Sequence, residues 1–524
     1  MGTATTAAHL AVLAEESLEH RGDHDSLVFE ERTWRSAELH DRACRVAGGL
    51  HQLGVRAGDR VAVVMANCTE VSVTYNAVWR AGAAVTPVVV LATATELRHV
   101  LADSSATTVV TTGDQLDKVL EAATGLPTVR HVVVAEPGTA AGSTIAGEPA
   151  AGAGVDVVDF DQLERGDDPG IVSRDEADLA ALMYTGGTTG RAKGVELSHR
   201  NLWFCGRSAH EASYVPGLTR GLSSLPMSHA FGMIVTVTSM HAPDPSLAVL
   251  MRWFDPARWV ALVEEYQVER SALVPAMAQF LLAEPLESAD LSNLRYLTIG
   301  AAPLARETAQ ELERRLPNAE VLEGYGCTES GGVITANPPG KRKIGTVGMP
   351  IPGYEVRIVD EQGEQVPAGE AGEIAVRAEG VMRGYWNAPD ATATALRDGW
   401  LYTGDIGRLD DENYLTIVDR KKDIIIRNGF NVYPRDVEDV LVEHPAVAMA
   451  GVVGRPDDRV GEEVIAFVSL HQGESVSAEE LTEFARSRLA ASKYPREIHV
   501  LDSLPLTSVA KLDRKELRRR VHEE

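Results

Sequence analysis

Between Ser36 and Ala102 the chain alternates helical and strand patterns, and this alternation restricts the fold more than any other feature of the sequence. Leu39, Ala43, Val46, Ala47 and Leu50 recur at helical spacing, which predicts a helix from Ser36 to about Leu53 that Gly54 stops before a Gly58-Asp59 turn. A strand follows over Arg60 to Ala66, then a helix over Val71 to Trp79, a buried strand over Ala83 to Leu91 and a helix over Glu96 to Ala102. Strand and helix in turn imply a layered α/β fold with parallel sheets, because parallel strands need crossovers and the helices cover the sheet faces. At 524 residues the chain exceeds one compact core, so two or more units are expected.

Further along, Glu136 to Gly154 is rich in Ala, Gly, Ser and Pro without an apolar period, which predicts a mobile surface insertion. Ala180 to Met183 reads as the end of a buried strand, and a glycine-rich segment begins where open α/β sheets usually bind ligands. Tyr414 to Val418 and Ile424 to Ile426 read as short strands around a charged connector from Asp419 to Asp423. A domain boundary near Asp419 to Lys422 divides the chain into a large domain, 1–419, of layered α/β subdomains and a small α+β domain, 420–524. The small domain is expected to hold a helix opening at Pro434 and burying Val437, Val440 and Leu441. Strands over Val447 to Val453 and Val464 to Leu470 come next, then a last helix from a Ser477/Glu480 capping box, carrying Leu481, Phe484 and Leu489.

With 50 Lys and Arg against 76 Asp and Glu the net charge is −26, which disfavours nucleic acid and anionic membranes as partners. The cysteines Cys44, Cys68, Cys205 and Cys327 are scattered and form no CxxC pair, so reduced thiols in a cytoplasmic protein are expected. No apolar run approaches the ~18 residues of a membrane span, and no export signal is read at the N-terminus. Met1-Gly2 with Thr6 satisfies only the loose myristoylation pattern and carries little weight. An anionic ligand can bind such a chain only where donors cluster locally.

Such a cluster exists in Thr185, Gly186, Gly187, Thr188, Thr189, Gly190, Arg191, Ala192, Lys193 and Gly194. Four glycines, three threonines and two cations bring backbone N–H groups, hydroxyls and positive charge together, as a phosphate grip requires. The order of Lys193 and Gly194 fails the Walker pattern, which argues against a P-loop kinase or ATPase. A bare glycine run is usually a flexible turn; the threonines and lysine favour the phosphate reading.

The loop resembles the nucleotide loop of the acyl-adenylate-forming superfamily, which includes acyl-CoA synthetases and coumarate-CoA-type ligases. Gly324-Tyr325-Gly326-Cys327-Thr328-Glu329, Tyr402-Thr403-Gly404-Asp405, the stretch Asp419 to Arg435 and the stretch Leu504 to Lys515 follow in the family's order. Two positions depart from the pattern: Ala192 stands where proline is common and Ala510 where glycine is usual.

The resemblance implies an ATP-using ligase that adenylates a carboxylic acid, releases pyrophosphate and passes the acyl group to coenzyme A. Glu329 matches the carboxylate for Mg2+, a hard ion bound jointly with phosphate, and Thr328 the hydroxyl near the α-phosphate. Asp405 matches the acceptor of both ribose hydroxyls, with Gly404 before it and Arg420 reaching the same sugar or the phosphates. Gly300, Ala301, Ala302, Glu323, Gly324 and Tyr325 are implied for the adenine, although Tyr325 fits a core tyrosine equally well. Lys511 matches the lysine that bridges carboxylate and α-phosphate when a mobile small domain closes. Lys422 matches the hinge, and Gly429 the loop lining a pantetheine tunnel. His229 and Phe231 match an acyl-facing segment whose apolar neighbours suit a fatty or aryl acid; a histidine there also fits an ordinary core role. Alternative outcomes are a carrier-protein thiol as acceptor, a halt at acyl-AMP, or a non-catalytic nucleotide-binding protein.

Overall fold

The structure, a computed structural model, describes residues 8–136, 154–185, 191–457, 459–506 and 512–523. The predicted insertion therefore lies, apart from its ends, outside the described residues. Contacts divide the chain into two compact units, one of Met1–Glu355 with Val376–Leu401, the other of Val356–Ala375 with Tyr402–Glu524. The cut between Leu401 and Tyr402 falls inside the strand Trp400–Leu409, ahead of the charged connector at Asp419.

The alternation read from Ser36 onward forms the heart of the first unit. The helix Ser36–Gln52 buries Ala43, Val46, Ala47 and Leu50, and Gly54 sits just past it at φ 86°. The strand Arg60–Val64 pairs in parallel with Ala84–Pro87 on one side and Thr108–Thr112 on the other. The helix Ala94–Ser104 starts at a capping box, with Thr93 and Glu96 satisfying each other's backbone N–H groups. These strands belong to an eight-stranded sheet that ends on Gly384–Tyr385 at one edge and Asp156–Asp159 at the other. A second sheet of nine strands has a parallel centre and ends on Met349–Pro350 and Arg32–Arg35. Its core includes Val249, Trp259, Leu273, Leu297 and Leu312, all fully buried.

In the second unit, Leu415–Arg420 pairs antiparallel with the preceding strand, setting Asp405 opposite Arg420. The strands Ile425–Arg427 and Phe430–Val432 form a hairpin with Arg427 opposite Phe430, so only Asn428 and Gly429 make the turn. Both have positive φ, 51° and 78°, which is the type I′ geometry that matches strand twist and that Asn-Gly adopts readily. The helix Pro434–Val442 buries Val437 and Leu441, while Val440 remains partly exposed. The long strands Val447–Asp457 and Gly461–Leu470 pair antiparallel. Ser477 caps the helix Ala478–Arg486, but a further helix, Arg514–Glu523, follows it. That helix is so charged that its buried pair, Leu517 and Val521, makes a weak apolar signal. Arg514 grips both oxygens of Glu438 at 2.6 and 2.7 Å, and Arg518 pairs with Asp423.

The first helix, Leu10–Arg21, is docked through two buried histidines. His9 and His199 stack with ring centroids 4.0 Å apart, and their Nδ1 atoms accept from Ala11 N and Leu10 N respectively. Burial, ahead of the charge of Arg174, pulls His9 down from 6.5 to about 4, and burial pulls His199 well below its ordinary value. The unfolded imidazole takes a proton below pH 6.5 that folded His9 refuses until about pH 4, so stability falls as pH drops through this window. By about pH 5 the loss from His9 alone amounts to about 2 kcal/mol. His9→Asn, which keeps a capping oxygen, should flatten the decline in urea midpoint between about pH 7 and about pH 5. An unchanged slope would remove His9 from the acid response.

Candidate functional site

The apolar run Leu179–Thr185 pairs antiparallel with Lys193–Ser198, placing Thr185 opposite Lys193. Gly186, Gly187, Thr188, Thr189 and Gly190, which join them, lie outside the described residues. Gly194 is a point of close approach: a Cβ there would stand 3.2 Å from Tyr184 Cζ and 3.2 Å from Trp386 Cβ. The same strand takes a second antiparallel partner, Gly384–Tyr385, with Tyr385 opposite Val195. Trp386 N donates to Gly194 O at 2.7 Å, and its indole N–H to Asp103 O at 3.0 Å. The exposed Lys193 ammonium lies 5.1 Å from the centroid of the Tyr385 ring.

Glu329 projects from a 3-10 turn, Thr328–Ser330, that Ser330 fixes by accepting from Cys327 N at 3.2 Å. Its backbone carbonyl accepts from Met382 N at 2.8 Å, and its Oε1 from the Tyr385 hydroxyl at 2.9 Å. Burial, then the Glu329 charge, pushes the Tyr385 phenol far above its ordinary value, so it remains a donor. One partly exposed carboxylate beside a threonine hydroxyl suits Mg2+ that arrives with its nucleotide, since that ion keeps few protein ligands. Among the described residues the one three-ligand grouping is a different set, Cys68, Glu70 and Glu136. Arg42 and Arg252 already hold its carboxylates at 2.8 and 2.7 Å.

The parallel strands Tyr296–Ile299 and Glu320–Tyr325 set Ile299 opposite Glu323, so Gly300, just past its strand, follows on beside Gly324, which is still paired with Ala336 on its other side. A Cβ on Gly300 would lie 3.2 Å from Gly324 O and 3.5 Å from Phe231 Cε1. Ala301 is held at φ 71°, a left-handed conformation disfavoured by its Cβ; Ala302 follows it, half-buried. Glu323 O accepts from Asn337 N at 2.9 Å, and Tyr325 pairs with Thr335. His229 has a local role as the cap of the helix Ala230–Met240, its Nδ1 accepting from Phe231 N at 3.3 Å.

In the second unit Arg420 Nε stands 3.4 Å from Asp405 Oδ1. Gly404, at φ 75°, donates its N–H to Glu373 Oε1 at 3.2 Å, and Lys421 pairs with Glu373 Oε2 at 2.9 Å. Lys422 lies in the 3-10 turn Lys421–Asp423, where burial and then the Arg420 charge lower its pKa. Gly429 makes the hairpin turn described above.

Three local groupings thus emerge: Thr185, Lys193 and Glu329 with Tyr385; Gly300 and Gly324 with Phe231; and Asp405 with Arg420. Lys511 and Ala510 lie outside the described residues. Tyr385 and Glu373 escaped the reading of the sequence. The run Arg383-Gly384-Tyr385-Trp386 has the glycine and aromatics of a tight strand contact, but nothing local says which strand it meets.

The sequence profile of the AMP-binding enzyme matches residues 14–386, and that of the AMP-binding enzyme C-terminal domain matches 436–511. The chain belongs to the AMP-binding enzyme family. It is 37% identical over 491 residues to a feruloyl-CoA synthase of an Amycolatopsis species, covering 92% of this chain and 93% of that protein. It is 35% identical over 507 residues to a long-chain-fatty-acid–CoA ligase of Bacillus subtilis (strain 168), covering 92% and 88%. Its structure is similar to o-succinylbenzoate-CoA synthetase of Bacillus subtilis in complex with an acyl-adenylate intermediate. The TM-score there is 0.83 at 28% identity, covering 97% of each chain.

Gly326 supports the Glu329 turn by close contact, since a Cβ on it would fall 2.2 Å from Gly332 O. Gly326→Ala should lower stability by about 1–3 kcal/mol in chemical denaturation, because backbone must move to admit the methyl group. An unchanged midpoint would mean that this segment yields freely.

Proposed function

We propose that the protein joins an apolar carboxylic acid, fatty or aryl, to coenzyme A while cleaving ATP to AMP and pyrophosphate. The observation that carries this reading is the grouping of Lys193 and Glu329 around Tyr385, a cation and a carboxylate at the end of a strand pair whose connection is rich in glycine and threonine. Two of the similar proteins are named for a feruloyl and a long-chain fatty acyl group, and a Cβ on Gly300 would meet the ring edge of Phe231 at 3.5 Å.

In the first step a carboxylate oxygen forms a bond to the α-phosphorus and the bond to the β-phosphate bridge breaks, releasing pyrophosphate. Lys193 and the loop from Thr185 to Gly190 hold the phosphates, and Thr328 donates toward the α-phosphate. Glu329 would hold Mg2+, which when bound would supply positive charge against the phosphates. Glu323, Gly324 and Tyr325 with Gly300, Ala301 and Ala302 receive the adenine, and Asp405 with Arg420 the ribose. Lys511 stabilises the oxygens of the pentavalent transition state. In the second step the thiol sulfur attacks the acyl carbon, its proton is lost, and AMP departs with the bonding electrons.

The segment after Asp419 acts as a mobile domain, 420–524, with Lys422 as its pivot and Gly429 in the loop lining the thiol's path. Support comes from the anchoring of its neighbours, Lys421 by Glu373 and Asp423 by Arg518. The setting is the cytoplasm, which agrees with four free cysteines. Among the described residues no helix is long and apolar enough to cross a membrane.

Acid-dependent exchange of labelled pyrophosphate into ATP, with thioester formation followed when coenzyme A is added, tests the whole reading. Exchange and thioester are expected with fatty or aryl acids, and absence of both across a broad acid panel would refute it. Exchange without thioester would instead name another acceptor. Lys511→Ala should reduce exchange by about 100-fold or more, the scale of losing one transition-state charge contact. Asp405→Ala should raise the KM for ATP by about 10-fold, as removal of hydrogen bonds to a charged acceptor does.

A further inference from the structure

Tyr385 belongs to none of the motifs that mark the site, yet it links two charged groups within it. Its backbone is fixed by pairing with Val195, and its N–H donates to Thr392 Oγ1 at 2.8 Å. On one flank Trp386 N is bonded to Gly194 O at 2.7 Å; on the other, Met382 N is bonded to Glu329 O at 2.8 Å. The short segment Met382 to Trp386 therefore ties the backbone that presents Lys193 to the backbone that presents Glu329. The side chain repeats the link, since the hydroxyl donates to Glu329 Oε1 at 2.9 Å while the ring lies 5.1 Å from Lys193 Nζ.

We infer that Tyr385 is a positioning residue for the magnesium-binding carboxylate, holding Glu329 by its hydroxyl and Lys193 by its ring so that metal and phosphates meet a preset pair. This rests on the assignment of Glu329 to Mg2+ proposed above. A carboxylate offers about four lone-pair directions, and a phenol that occupies one on Oε1 fixes the plane of the group while leaving the others for a cation. Outer partners that orient a metal ligand in this way commonly contribute about 10- to 100-fold in metal affinity. A phenol carries its proton at neutral pH, so it can donate to the carboxylate without adding a second negative charge.

The test compares Tyr385→Phe, which keeps the ring over Lys193, with Glu329→Gln in the full chain. Mn2+, standing in for Mg2+, is titrated by electron paramagnetic resonance onto the protein with ATP and no acid, so that no turnover occurs. In parallel, the Mg2+ dependence of pyrophosphate exchange, the KM for the acid and the melting temperature are measured. Tyr385→Phe is expected to weaken Mn2+ binding by about 10-fold and raise the half-saturating Mg2+ to match, with KM for the acid and melting temperature unchanged. Weaker binding in Glu329→Gln with none in Tyr385→Phe would overturn the inference alone. Normal Mn2+ binding in both variants would overturn the assignment of Glu329 as well. A loss in Tyr385→Phe that extends equally to acid KM and melting temperature would reduce the tyrosine to a packing role and likewise overturn the inference.

Discussion

The strand Lys193–Ser198 is the piece on which the site depends, because it is paired along both edges, by the strand just before it on one side and by a segment from far along the chain on the other. Leu179–Thr185 on one side connects it to the parallel sheet through Val85 and Ala181. Gly384–Tyr385 on the other side brings in the aromatic that reaches Glu329. Backbone hydrogen bonds with fixed register thus locate a lysine, a tyrosine and a carboxylate that loops alone would hold loosely. Gly194 and Gly384 are part of this arrangement, since their neighbours press within 3.2 Å of where a Cβ would stand.

A net charge of −26 makes a polyanionic substrate a poor match for the protein as a whole, so charge has to be managed locally. Several arginines are absorbed by the fold: Arg42 pairs with Glu70 and Glu164, Arg80 with Glu15 and Asp168, and Arg252 with Glu30 and Glu136. Those cations stabilise packing and have little positive charge to offer a ligand. Lys193, by contrast, is exposed and stands over an aromatic ring, with no ion-pair partner among the described residues. The quadrupole of that ring holds the ammonium without neutralising it, which leaves its charge available.

Local patterns carried much of the fold. The helix at Ser36, the strand from Arg60 that follows it and the cap at Ser477 depend on neighbours in sequence and were legible there. The order of the glycine-rich loop, Glu329, Asp405 and the tail motif likewise pointed to the family. Registers between remote segments were not legible: nothing near Tyr385 announces Val195, and nothing near Glu373 announces Gly404 and Lys421. His229 shows a different limit, since its motif suggested an acyl contact while its Nδ1 also serves as a helix cap. The helix Arg514–Glu523 was missed because only Leu517 and Val521 mark its buried side. The compact division between Leu401 and Tyr402 lies within a strand, where composition leaves no trace.

Pairing Gly384–Tyr385 onto the lysine strand also determines how the eight-stranded sheet meets solvent. A six-residue strand left as an edge would present a row of unpaired amides to any other chain. Instead the sheet ends there on two residues, and its opposite edge is a four-residue strand with aspartate at both ends. The nine-stranded sheet ends similarly, on the two residues Met349–Pro350 and on a strand bounded by Arg32 and Arg35. Short, charged or proline-bearing margins are poor templates for edge-to-edge association. The segment that orients the site therefore also guards a large, strand-rich protein against aggregation.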